Sequence, residues 1–161
     1  MLFGLIDEFS LFYLRWVEAI SKQGSAGNDP NYWLKQKSSA SWSAWSGYAF
    51  EAVCLKHILQ IKKALGINGI ITYQTGWRAS TNSKGAEIDL LIERADGCIN
   101  LCEIKFSRGL FTVTKSYAES LRRKKLKFIE ETKVKVYKLN GMIILINDIL
   151  NPKKEDANSK N

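Results

Sequence analysis

Residues 87–107, EIDLLIERADGCINLCEIKFS, decide how this chain folds. Side chains of an extended backbone point alternately to its two faces, so EIDLLIE places Ile88, Leu90 and Ile92 toward a core and Glu87, Asp89, Leu91 and Glu93 on the other side. CINLCEIKF repeats the pattern, with Cys102, Ile104 and Phe106 on one face and Glu103, Lys105 and Ser107 on the other. Between the two runs stand Ala95, Asp96 and Gly97, and an Asp-Gly pair is a common closure of tight hairpins. The expected product is an antiparallel pair that sets Asp89 opposite or diagonal to Glu103 and Lys105.

Working outward, GIITYQT (69–75) predicts a further strand. Before it, Trp45, Tyr48, Ala49, Ala52, Val53, Leu55, Ile58, Leu59, Ile61 and Leu65 outline one long helix from about Ser41, closed by Gly66. Beyond the hairpin, Lys115 to Thr132 is charged and helical, with Tyr117, Leu121, Leu126 and Ile129 available to face a core. KVYKL (135–139) and MIILI (142–146) predict two closing strands. Residues 5–20 suggest an amphipathic helix through Leu5, Phe9, Phe12, Leu14, Trp16 and Ile20, and SKQGSAGNDPN (21–31) interrupts it with small, turn-forming residues. The division expected is a helix and linker over 1–31, one α/β domain over 32–150 and a polar tail over 151–161. Helix, three strands, helix and closing strands favour a sandwich of helices around a mixed sheet.

The 161 residues hold 24 Lys and Arg against 16 Asp and Glu, a net +8 that favours a polyanionic partner such as nucleic acid. Three cysteines form no disulfide framework and point to a reducing cytoplasm. Asp7, Glu8, Arg15 and Glu18 interrupt the apolar opening segment, so neither a signal peptide nor a membrane span is expected there. No Gly-rich segment ends in Gly-Lys-Ser/Thr, which excludes a P-loop nucleotide site from this chain.

Two carboxylates that converge repel each other, and a hard divalent cation such as magnesium or manganese keeps both ionised. Asp89 and Glu103 suit that role, the Ile104 carbonyl can add a third oxygen, and Lys105 can orient water or offset phosphate charge. The expected chemistry is metal-assisted hydrolysis. Around it, Trp77 and Arg78 are candidate substrate contacts, and Lys115, Arg122 and Lys125 can line a phosphate path. The other aromatic residues, Trp33, Trp42, Trp45 and Tyr48, read as packing. Cys54, His57, Cys98 and Cys102 read as buried thiols and a half-buried histidine rather than a zinc site.

The arrangement resembles the PD-(D/E)XK nuclease superfamily, with its αβββαβ core in a restriction-endonuclease-like sandwich. Within it, LIDEFSLFYLRW, WSGYAFEAVCLKHILQIKKALGI, GAEIDLLIER and INLCEIKFS look like the nuclease-like C-terminal region of a group of prokaryotic AAA-type ATPases, over roughly residues 5–132. The resemblance implies that Asp89 and Glu103 bind metal, that Lys105 is the catalytic lysine and that Glu51 faces the site from its helix. Ile88 stands where the superfamily commonly has proline, and the chain after Thr132 is less alike. The implied activity is magnesium-dependent endonuclease action on DNA. The alternatives are an inert nuclease-fold module that binds nucleic acid or an ATPase on another chain, with residues 1–20 as the docking helix, or a remnant of a longer gene.

Overall fold

The 87–107 segment forms the expected hairpin in the computed structural model, which describes residues 7–22, 29–80, 85–109, 111–135 and 139–146. Strands β2 (Glu87–Arg94) and β3 (Ile99–Lys105) run antiparallel, pairing Leu90 with Cys102 through Glu93 with Ile99. The turn closes because Gly97 takes φ +83°, a left-handed conformation that costs a residue without Cβ little. Asp96 braces it by accepting from the Cys98 N–H and the Arg94 guanidinium.

Strand β1 (Thr72–Arg78) pairs antiparallel with β2, and β4 (Leu139–Ile146) pairs parallel with β3, giving a mixed sheet in the order β1-β2-β3-β4. A parallel neighbour needs a crossover, and α6 (Lys115–Thr132) supplies it. Thr114 caps α6 by accepting from the Tyr117 N–H, and Lys133 ends it in the left-handed conformation at φ 56°. The two predicted closing strands are corrected in part, since Leu139 and Met142–Ile146 share one strand without a break at Asn140 and Gly141. Residues 136–138 and the predicted tail over 151–161 lie outside the described residues.

One sheet face packs on α6 through Ile88, Leu91, Leu101 and Phe128, with Trp77, Ile99, Val134 and Leu139 around them. Strict alternation placed Ile88 and Leu91 on opposite faces, and the structure corrects this. Between the pairs Thr75–Leu91 and Trp77–Ile88, β1 contributes only Gly76 while β2 contributes Asp89 and Leu90. That extra residue is a β-bulge, which resets the side-chain parity of the strand beyond it. Along α6, Leu126 is 66% exposed rather than inward, and Phe128 fills the core position.

The chain divides into two compact units, Met1–Ile58 and Leu59–Asn161. The first unit holds a helical run, α1 (Glu8–Phe12), a π-turn (Tyr13–Val17) and α2 (Glu18–Lys22), followed by α3 (Tyr32–Lys37) and α4 (Ala40–Lys56). Phe12, Trp16, Trp33, Trp42 and Trp45 pack ring against ring with centroids 5.1–6.4 Å apart. Tyr48, expected to pack, is exposed. The single helix predicted to Leu65 breaks at His57, which is exposed rather than half-buried, and α5 (Ile58–Ala64) follows it up to Gly66 at φ +68°. No helix among the described residues is long and apolar enough to cross a membrane.

Phe128 is 3% exposed and meets Trp77 edge to face at 5.3 Å. Phe128→Ala is expected to lower the urea-unfolding free energy by about 3–5 kcal/mol, whereas Leu126→Ala should change it by less than about 0.5 kcal/mol.

Candidate metal centre

The bulge that resets β2 also opens the site. Ladder pairing between β2 and β3 stops at Leu90–Cys102, so the next inward-facing N–H of β3, that of Ile104, has no backbone acceptor on β2. Asp89 supplies one, its Oδ2 accepting from the Ile104 N–H at 2.7 Å. The carboxylate is thereby fixed in the fork between the strands. Because the N–H and C=O of one extended residue point to the same side, the Ile104 carbonyl also emerges on the Asp89 side.

Glu103 lies beside this fork on the α6 face of β3. Tyr117, Leu121, Lys124 and Phe128 repeat at intervals of four, three and four, which lines them along one stripe of α6. Leu121 and Phe128 make the stripe's apolar part. Its polar members hold Glu103, with the Lys124 ammonium 2.7 and 2.6 Å from the two carboxylate oxygens and the Tyr117 hydroxyl 3.4 Å from one of them. Glu103 is only 7% exposed. Sequence reasoning missed both partners as site residues, although their seven-residue spacing, bracketing Leu121, was the available signal.

Burial pushes the Glu103 carboxyl above its ordinary range, and the nearby Asp89 charge adds to that shift while Lys124 and Tyr117 oppose it. Desolvation and like-charge repulsion therefore outweigh the ammonium. Burial and the same two carboxylates push the Tyr117 hydroxyl up to about 12, so it remains a donor. On the other face of β3, burial and Asp89 raise the Cys102 thiol to about 12. Within the first unit, burial and Glu51 raise the Cys54 thiol to about 11. Neither thiol has the low pKa of a nucleophile.

Asp89 accepts from the Ile104 N–H, its charge acts on the Glu103 carboxyl, and Lys105 follows as an exposed residue at the end of β3. Glu51 belongs to α4 in the first unit, partly buried beside Cys54. Among the described residues no group of three or more His, Cys, Asp or Glu side chains gathers as a metal site. Trp77, expected toward substrate, packs on Phe128, and Arg78 pairs with Glu87 at 2.7 Å. Lys115 and Arg122 are exposed on α6, and Lys125 is partly buried.

Magnesium binds through one or two carboxylates and retains several waters. Two carboxylates and a backbone carbonyl on one fork fit that habit, on condition that the Lys124 ammonium leaves Glu103.

Residues 13–132 match a family described as archaeal and bacterial proteins of unknown function. None of the curated proteins or solved structures compared with the chain matches it.

A carboxyl whose pKa is raised by folding binds its proton more tightly in the native state, so stability falls as pH rises from the ordinary value of 4.5 through the raised one. Denaturation across that window should show this loss in the wild type and not in Glu103→Gln. A wild type minus variant difference that is flat with pH would contradict the assigned burial.

Proposed function

The chain belongs to this family of archaeal and bacterial proteins of unknown function, and from its site we propose that it is a magnesium- or manganese-dependent nuclease domain hydrolysing DNA phosphodiester bonds. The observation that carries the reading is the fork itself: Asp89, Ile104 and Glu103 meet where β2 and β3 part, with a cation already drawn onto Glu103. The order of helix, three strands, helix and parallel strand supports a restriction-endonuclease-like core.

Asp89, Glu103 and the Ile104 carbonyl would hold the ion. Bound there, a divalent cation supplies an acidified water and neutralises charge on the phosphate. Lys105 would orient the water or stabilise the charge that builds on the phosphate oxygens. Lys115 and Arg122 on α6, within a chain of net charge +8, provide cations for the DNA backbone. Glu51 enters by resemblance alone.

The grip of Lys124 on both oxygens of Glu103 favours a second reading, an inert module of the same fold that binds nucleic acid or a partner ATPase. The two differ in what metal does. The nuclease should nick supercoiled DNA with MnCl2 or MgCl2, and Asp89→Asn, Glu103→Gln and Lys105→Met should each reduce the rate by about 100-fold or more. DNA binding that weakens steeply with salt, with no cleavage under any metal, would replace the first reading by the second.

A further inference from the structure

The Lys124 ammonium and a divalent ion need the same oxygens. Its nitrogen sits 2.7 and 2.6 Å from the two oxygens of Glu103, and both side chains are largely withdrawn from water, at 20% and 9% exposure. Solvent therefore screens the pair weakly, and an incoming ion meets an occupant that has to be moved. We infer that Lys124 is an internal competitor for the metal, and that its displacement couples metal binding to the binding of a phosphodiester. This rests on the metal-site reading above and adds a regulation of that site.

The coupling follows from where the charge goes. Once metal takes Glu103, the Lys124 ammonium has lost the carboxylate whose two oxygens it held. A buried or half-buried cation without a counter-ion is costly, so metal alone binds against resistance. A phosphodiester brought to the same fork carries the negative charge that can receive the released ammonium. Metal and nucleic acid thus each remove an obstacle to the other, and the factor by which DNA tightens metal equals the factor by which metal tightens DNA. Tyr117 does not replace Lys124 in this role, because its hydroxyl donates to Glu103 without carrying charge.

Calorimetry with MnCl2, with and without a short phosphorothioate duplex that resists cleavage, tests the exchange on the full chain. The wild type should bind Mn2+ weakly alone and about 10-fold more tightly with the duplex, within the usual span of such couplings. Lys124→Met should bind Mn2+ about 10-fold more tightly than the wild type alone, with no further gain from the duplex. Equal or weaker Mn2+ binding by Lys124→Met overturns the competitor while leaving the metal site standing. No Mn2+ binding by either the wild type or Lys124→Met, with or without duplex, removes the metal-site reading and the competitor together. A second measurement needs no variant: the lysine ammonium signal of Lys124 in 15N NMR should shift during MgCl2 titration at the midpoint of Mg2+ binding. A signal unchanged through saturation also overturns the exchange.

Discussion

The hydrogen bond from the Ile104 N–H to Asp89 is the constraint on which the site depends. It is a substitution of side chain for backbone. Where two residues of β2 stand against Gly76 of β1, the ladder from β2 to β3 ends at Leu90–Cys102, and an acceptor is needed where the strands part. The same displacement of parity brings Ile88 into the α6 core beside Leu91 and Leu101. One extra residue in β2 thus completes the apolar packing and frees a carboxylate to stand in a fork instead of on a flat sheet face.

The second element of the site answers to the first. Glu103 is buried because β3 is central, with β2 on one side and β4 on the other, and because α6 covers its face. Such a residue needs a partner of opposite charge, and only a helix with a mixed stripe can offer one while still packing. Leu121 and Phe128 fasten α6 to the sheet, which leaves Tyr117 and Lys124 of the same stripe facing Glu103. Removing one member of a buried pair of this kind typically costs about 3–5 kcal/mol, since the other is left unpaired.

The hairpin was legible because three local signals agreed: two alternating runs and an Asp-Gly turn. The convergence of Asp89 with Glu103 followed from that register. Alternation failed at Ile88 because a bulge depends on what lies across the sheet, at Gly76, and nothing within EIDLLIE announces it. Helical spacing misplaced Leu126 on α6 for a different reason. Tyr117, Leu121, Leu126 and Ile129 are all apolar or aromatic, but only a partner surface decides which stripe turns inward, and that surface selected Phe128 and Lys124 over Leu126. The break at His57 was hidden because apolar residues continue on both sides of it. Glu51 was never legible from geometry, since spacing along α4 says nothing about where the first unit's helix faces.

Burial and the neighbouring Asp89 charge push the Glu103 carboxyl up, against the opposing pull of the Lys124 ammonium. Apolar residues of similar volume commonly stabilise a fold as well as or better than a buried ion pair. A chain that needed only a core at this position would therefore be served by extending the Leu121 and Phe128 stripe. Under the proposed metal-site reading, an ion of charge two would offset the repulsion between Glu103 and Asp89 more fully than an ammonium can, and Lys124 would be the counter-ion that it displaces.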